Sequence, residues 1–490
     1  MNRALRRISI AVLVMFVLLL ANVNYLQAFE AGNLAGKPGN SRAFAAQFQY
    51  QRGEITTADG IVIASSKNVG GVYKYQRVYP LGPEYAPVTG YDALYSESGI
   101  EAAENSYLTG NSSKLAVRNV IDMITNKPRK GATVQLTLDS NAQNTAWSML
   151  QATGKSGAVV ALNPQTGAIL AMASYPSYDP NQLAVLDGPQ LNSNDNKLLK
   201  DPAQPLVNRA TGATYPPGST FKIVTSSAAF SQGNSNPNTV VNAPTTLQLP
   251  QSTAHLINND GEVCGTLGDN KATIITAFTE SCNTAFANIG MQLGSATLKS
   301  MAEKYGMNDP NLKIPTPVAQ SNFPLEPDQA TTALSAIGQK DDTVTPLQEA
   351  MFSATIANNG TLMKPYLVQQ VQDAADLSIV DSASPTALGQ PVSPTVASQI
   401  KQMMVSVVNS PDGTAAAFKN AIPGVQIAGK TGTAQNGINN SGLNDAVFTC
   451  FASNGNRSMA VGVIIQGGGY GAAAAAPIAV GVLKAYLENG

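Results

Sequence analysis

The spacing of apolar residues divides the chain before any motif is read. Ile8 to Ala21 is apolar except for Ser9, and Arg3, Arg6 and Arg7 precede it. Val23, Leu26 and Phe29 extend the stretch, diluted by Asn22, Asn24 and Gln27. The run is short for a membrane span and has the form of a signal segment. No small-x-small cleavage site follows it, which predicts an uncleaved anchor with the arginines cytoplasmic and the rest outside. Residues 30–46, rich in Gly, Asn and Ala, read as a juxtamembrane segment. Alternation from Tyr50 to Ala64, interrupted at Asp59-Gly60, predicts strand, turn, strand. Gln135 to Asp139 reads as a short strand, and Asp139 or Ser140 caps a helix running to about Ala152. A boundary is expected near 153–156.

The next two apolar runs, from Gly157 and up to Ala173, flank Asn163-Pro164-Gln165-Thr166-Gly167, a hairpin signal. They are nearly continuous, which predicts central strands covered on both faces. Helical periodicity follows at about 219–231, 272–280, 283–305, 328–338, 346–358 and 394–409. Strands are predicted at about 424–430, 445–453 and 457–466, then a turn from Gly467 to Gly471 and a last helix through Leu483. Strands from both ends of this region are expected in one antiparallel sheet with helices on its faces. The fold class is α+β, with an anchor at 1–30, a small non-catalytic domain at 31–153 and a catalytic domain at 154–490.

Composition removes several function classes. The chain has 490 residues, 43% apolar and 12% charged, with net charge −1 and no basic block, so no nucleic-acid footprint is expected. The single histidine, His255, excludes two-histidine metal motifs, and nothing has zinc spacing, so no cofactor is expected. A Ser-His-Asp triad would have to use His255, which reads as an ordinary loop residue among Asn258, Asn259 and Asp260. Outside the membrane a disulfide is permitted, and Cys264 and Cys282 lie 18 apart around a turn-rich segment. Cys450 reads as a small buried hydrophobe.

The candidate chemistry begins at Ser219-Thr220-Phe221-Lys222, which follows Tyr215-Pro216-Pro217-Gly218. The turn sets Ser219 at a helix N-terminus, and the three-residue spacing puts Lys222 on the same face as a base for a serine nucleophile. A second S-x-x-K, Ser398 to Lys401, reads as the solvated side of an amphipathic helix. Ser281-Cys282-Asn283 lies 62 residues after Ser219, and Lys430-Thr431-Gly432-Thr433 lies 211 after it. S-x-N alone is uninformative, since Ser66 to Asn68 matches too; the ordered set S-x-x-K, S-x-N, K-T-G-T is specific for serine acylating enzymes. Gly424 to Thr431 also satisfies G-x₄-G-K-[ST], but its apolar residues lie between the glycines and no helix follows, so nucleotide binding is set aside.

With these motifs in order, the chain resembles the class B penicillin-binding proteins, over nearly everything after the anchor. Arg52-Gly53 with Ile55, Tyr79-Pro80 with Gly82, Gly90-Tyr91, and Tyr175 through Asn181 are also similar. The resemblance implies a penicillin-binding transpeptidase fold: an antiparallel sheet flanked by helices, plus an all-helical subdomain. It implies a peptidoglycan D,D-transpeptidase that acts on stem peptides ending D-Ala-D-Ala, forms an acyl-Ser219 intermediate and is acylated by β-lactams. Lys222, Ser281, Asn283 and Lys430 would carry the chemistry. Thr431, Gly432 and Thr433 would hold the substrate carboxylate and oxyanion. Implied partners are the cytoplasmic membrane and cell-division or elongation proteins, including a glycosyltransferase. The alternatives are a serine β-lactamase, against which Glu303 and Asn308 do not match the class A deacylation pattern, and a non-catalytic penicillin-binding scaffold or sensor. Two departures stand out: Cys282 inside the second motif and Val447-Phe448 beside the third. A lysine of ordinary pKa is neutral in roughly one molecule in 2,500 at pH 7, so Lys222 must be strongly depressed to act as base. Burial and the charge of Lys430 would both push that way.

Overall fold

The structure, a computed structural model, describes residues 3–30, 47–116, 118, 123–125, 129–258, 261–265, 267–435 and 443–488. Most of the juxtamembrane stretch, and Asn259 and Asp260 beside His255, lie outside the described residues.

The two apolar runs after residue 156 form strands Gly157–Leu162 and Ile169–Tyr175. They join the three C-terminal strands in one five-stranded antiparallel sheet ordered Ala428–Ala434, Asp445–Asn454, Arg457–Ile465, Gly157–Leu162, Ile169–Tyr175. Gly157–Leu162 is central as expected. Ile169–Tyr175 is an edge strand, and helix Ser140–Ala152 packs against it and supplies the cover that its continuous apolar run requires. Asp139 caps that helix, its Oδ1 accepting from Ala142 N at 3.0 Å.

Helix Pro346–Ala357 packs against strands Gly157–Leu162, Asp445–Asn454 and Arg457–Ile465. Its residues through Ile356 are all buried, Glu349 among them. A helix buried all round belongs to the core rather than to a surface. Gly462 allows this approach, because a Cβ there would stand 2.5 Å from Ala350 N. Helices Lys222–Ser231 and Pro394–Asn409 pack with each other, and the latter packs with Pro346–Ala357. The C-terminal helix Gly471–Leu487 packs on strands Asp445–Asn454 and Arg457–Ile465 and on Ser140–Ala152.

Three further expectations are corrected. The apolar pattern at 283–305 is two helices, Asn283–Leu293 and Ser295–Lys304, broken at Gly294 with φ +77°. The strand expected at 424–430 runs over Ala428–Ala434, so Lys430 to Thr433 lie within it rather than after it. His255 sits on a short hairpin, Thr246–Gln248 paired with His255–Ile257, rather than in a loop. Helix Gly188–Lys200, which fully buries only Leu191, is an element outside those expected.

The N-terminal region builds a six-stranded sheet ordered Ile379–Ser382, Val368–Gln372, Thr133–Leu136, Ile55–Thr56, Val62–Asn68, Tyr75–Val78. Two of its strands come from beyond residue 360. Beside it the buried Glu101 carboxylate accepts from Arg52 Nε and Arg77 Nε, each at 2.6 Å. Ahead of this region, helix Arg3–Tyr25 contains one segment, Arg6–Tyr25, of mean hydropathy 2.2 that is long and apolar enough to cross a membrane.

Candidate active site

Ser219 lies in a single 3-10 turn, Gly218–Phe221, that runs straight into helix Lys222–Ser231. Gly218 has φ +57°, and a Cβ there would stand 3.0 Å from Thr433 O. Gly218 N donates to Gly338 O at 2.9 Å. Gly338 has φ +71°, and a Cβ on it would stand 2.1 Å from Gly218 O. The turn bearing Ser219 is therefore wedged between the Gly338 loop and the Ala428–Ala434 strand, at separations only glycine permits. Gly338→Ala is expected to cut Ser219 acylation at least tenfold and to destabilise by roughly 1–3 kcal/mol, checked by acylation rate and melting temperature on one preparation.

Ser281 follows helix Ile274–Thr279 and has φ +62°. Cys282 N donates to Ala277 O at 2.8 Å and Ser281 N to Phe278 O at 3.3 Å, the paired bonds of a Schellman cap with Ser281 at the left-handed position. That position usually falls to glycine, so a serine there carries strain of the kind found at functional sites. Asn283 opens the next helix. Its cap comes from outside, because Asn258 Oδ1 accepts from Thr284 N at 3.1 Å while Cys282 is joined to Cys264 by a disulfide.

Lys222 and Lys430 are fully buried. Lys222 Nζ donates to Ser281 O at 2.7 Å, Asn283 Oδ1 at 2.9 Å and Ser281 Oγ at 3.3 Å. Lys430 Nζ donates to Ser281 Oγ at 2.8 Å and Thr431 O at 3.0 Å. Ser281 Oγ thus bridges the two lysines. A hydroxyl has one proton to give, so it can donate to a neutral amine while accepting from a charged one. Among the described residues neither lysine has a salt bridge. Burial first, and then the charge of Lys430, push Lys222 well below the usual lysine range. Burial lowers Lys430 to about 7. The rings of Phe286 and Phe278 lie 5.5 Å from the two Nζ atoms, shutting out water while giving back a smaller cation–π attraction.

The Ala428–Ala434 strand is the edge of its sheet. Thr431 O accepts from Lys430 Nζ and Thr433 O from Gln339 Nε2 at 3.4 Å, so both carbonyls face away from the neighbouring strand. In an antiparallel strand the N–H of a residue points with its own C=O, so the Thr433 N–H also faces the open edge. Gly432 lets the strand approach, since a Cβ there would stand 2.9 Å from Pro217 O. Thr431 Oγ1 is paired with Thr414 Oγ1 at 2.7 Å.

A cavity of about 520 Å³ opens over Ser219, Ser281, Asn283, Thr431 and Thr433. The two lysines lie behind it rather than in its lining. Ser219 Oγ has no hydrogen bond among the described residues, and Lys222 spends its donors on Ser281 and Asn283; such bonds commonly form only with substrate present. His255 lines the cavity on its hairpin. The decoys lie elsewhere: Ser398 and Lys401 are exposed on helix Pro394–Asn409, and Ser66 to Asn68 lies in the N-terminal sheet. Sequence reasoning missed the Gly338-Gln339 loop and Thr414. A glycine closing helix Gln329–Ser335 was the one available signal for the loop.

Residues 157–484 match the penicillin binding protein transpeptidase domain, and residues 52–134 match the penicillin binding protein A dimerisation domain. The chain is 41% identical, over the full length of both, to the peptidoglycan D,D-transpeptidase PbpA of Mycolicibacterium smegmatis. It is 40% identical, again over both full lengths, to PbpA of Mycobacterium tuberculosis. The ceftriaxone acyl-enzyme complex of penicillin-binding protein A from M. tuberculosis superposes with TM-score 0.85 and 39% identity, over 90% of this chain and 100% of that one. The penicillin G acyl-enzyme complex gives 0.82 and 39%, over 89% and 99%.

Proposed function

The chain belongs to the penicillin-binding protein transpeptidase family, and from that premise we propose how its residues divide the reaction. It is a peptidoglycan D,D-transpeptidase, acting on stem peptides and acylated by β-lactams. Ser219 is the nucleophile and Lys222 its base. Ser219 Oγ attacks the carbonyl of the penultimate D-Ala, and its proton passes to Lys222. The developing oxyanion is held by the N–H groups of Ser219 and Thr433. Thr431 and Thr433 bind the terminal carboxylate, with Lys430 buried behind them as the nearby cation, and Gly432 keeps the strand close enough to do so. Collapse breaks the C–N bond, and the departing D-Ala amine takes its proton through Ser281 from the lysine pair. Asn283 holds Lys222 and a substrate amide. The amine of a second stem peptide then attacks the acyl-enzyme and loses its proton to Lys222, which passes it to Ser219 Oγ as the ester C–O bond breaks.

The observation that carries this division is Ser281 Oγ within hydrogen-bond reach of both buried lysines. One proton shared over two amines and a hydroxyl serves both halves of an acyl transfer. Helix Arg3–Tyr25 supports a membrane-anchored enzyme with its catalytic region outside, divided as 1–30, 31–153 and 154–490 except that strands Val368–Gln372 and Ile379–Ser382 complete the N-terminal sheet and helix Ser140–Ala152 covers the catalytic one. Crosslinking requires glycan strands, so a glycosyltransferase of the division or elongation machinery is the expected partner.

The test is intact mass after incubating the full chain with benzylpenicillin. A long-lived adduct on the peptide containing Ser219 is the expected result. Rapid turnover without accumulation would favour a β-lactamase, and no adduct with any β-lactam would overturn both readings.

A further inference from the structure

Behind the Ser219 turn lies a buried acid that the reaction above does not use. Glu349, on helix Pro346–Ala357, is completely buried. Its Oε1 lies 2.8 Å from Thr220 Oγ1, and Thr220 Oγ1 lies 2.8 Å from Pro217 O. Its Oε2 has no hydrogen-bond partner among the described residues. The titratable groups on the elements packed around it are Asp445, Cys450 and Arg457 on the sheet, with Lys430 on its edge strand, and Arg209, Lys222 and Lys401 on the flanking helices. Among the described residues none of them makes an ion pair with it.

Thr220 has one hydroxyl proton and two acceptors in reach. If Glu349 is ionised, that proton serves either the carboxylate or Pro217 O, and a buried charge is left without a cation, which is strongly unfavourable. If Glu349 is protonated, its O–H donates to Thr220 Oγ1 and the Thr220 O–H donates to Pro217 O, so both protons are used and what is left unpartnered is the neutral carbonyl Oε2 rather than a charge. We propose that Glu349 works as a neutral carboxylic acid whose hydrogen bond through Thr220 to Pro217 fixes the turn from which Ser219 attacks. It is a positioning residue, since it touches neither substrate nor reacting atoms. The electrostatics agree: burial pushes Glu349 up to about 8, against a smaller opposing effect of the Thr220 bond.

This inference rests on Ser219 being the acylated residue, so the variants are compared with wild type in the benzylpenicillin assay over pH 6–10, with melting temperature alongside. Glu349→Leu is expected to acylate about tenfold more slowly, the worth of one lost buried hydrogen bond. Glu349→Gln, which keeps a neutral donor, should recover most of that loss and abolish the wild type's fall in rate above about pH 8. Thr220→Val should slow acylation like Glu349→Leu, and the double variant should be no slower than the worse single one. Additive losses, a wild-type rate in Glu349→Leu, or an alkaline fall that persists in Glu349→Gln would each overturn the proposal. If Glu349→Leu does not fold, an unchanged rate in Thr220→Val overturns it alone. An absent wild-type adduct would sink the transpeptidase division as well, whereas a normal adduct with unaffected variants sinks only this one.

Discussion

Ser219→Ala is expected to form no acyl adduct, and Lys222→Met to slow acylation by about 10²–10⁴-fold, the usual range for a removed general base, while its melting temperature is not lowered. The two variants separate two roles. The first removes the atom that forms the bond; the second leaves that atom and removes the acceptor of its proton. The stability half follows from burial. Lys222 and Lys430 are fully buried without a carboxylate, so folding has to strip each amine of hydration and of its proton, a cost that an apolar side chain of similar volume does not carry. The sign with pH is fixed by the direction of the shifts. Between its folded value, about 7 for Lys430, and the ordinary unfolded value near 10.4, the unfolded chain holds a proton that the folded one has lost. Stability therefore rises with pH through that window and levels off above it. Acylation should follow the neutral lysine, rising to a maximum near neutral pH and then falling above about pH 8 as Glu349 ionises. A wild-type rate that climbs steadily to pH 10 would mean Lys222 is not lowered, and a Lys222→Met variant that both acylates normally and melts lower would reverse the assignment.

How much of this was legible in the sequence depends on what fixes each feature. The order of the three motifs identified Ser219 over Ser398, because order survives folding and needs no geometry. The expected lowering of Lys222 also agrees with the structure, since it required only burial and a second cation. Chain geometry was harder. The break at Gly294 lies inside an unbroken apolar pattern, and a single glycine tolerated within a helix looks the same as one that ends it. The left-handed backbone of Ser281 was hidden for the opposite reason: the residue that usually marks such a position is glycine, and here function occupies it. The Gly338 loop approaches Ser219 from 119 residues away, at a separation set by tertiary packing alone. Glu349 reads in sequence as a surface residue of a helix. Only the burial of that whole helix turns it into a group that must find a partner.

Glu101→Ala is expected to produce the reverse of Lys222→Met: a large loss of stability with Ser219 acylation retained under conditions where the chain stays folded. Glu101 accepts from Arg52 Nε and Arg77 Nε at 2.6 Å each, and Tyr79 OH donates to the same carboxylate at 3.2 Å. Removing the carboxylate leaves two largely buried guanidiniums facing each other. Among the described residues, the carboxylates left to Arg52 are the more distant Asp92 and Glu97, at 3.7 and 3.9 Å, and its 2.6 Å bonds to Asn105 Oδ1 and Glu101 O supply no negative charge. Breaking a buried ion pair from one side costs about 3–5 kcal/mol, because the remaining charge is left uncompensated. Glu101→Gln preserves shape but not charge, so it should recover little. Burial alone would raise the Glu101 carboxyl, but Arg77 and Arg52 outweigh it and hold it below the ordinary range. Its stabilisation is therefore present above the unfolded glutamate value near 4.3 and is lost as pH falls through the lower folded value. Denaturant unfolding of wild type and Glu101→Gln between pH 3 and 7 should show the gap between them closing at the acid end. A gap independent of pH would mean that the carboxylate's charge is not what holds Arg52 and Arg77 together. The contrast with the lysine pair is physical. Glu101 balances the charges around it and stabilises the fold, whereas Lys222 and Lys430 are buried without balance, and that imbalance favours their neutral form.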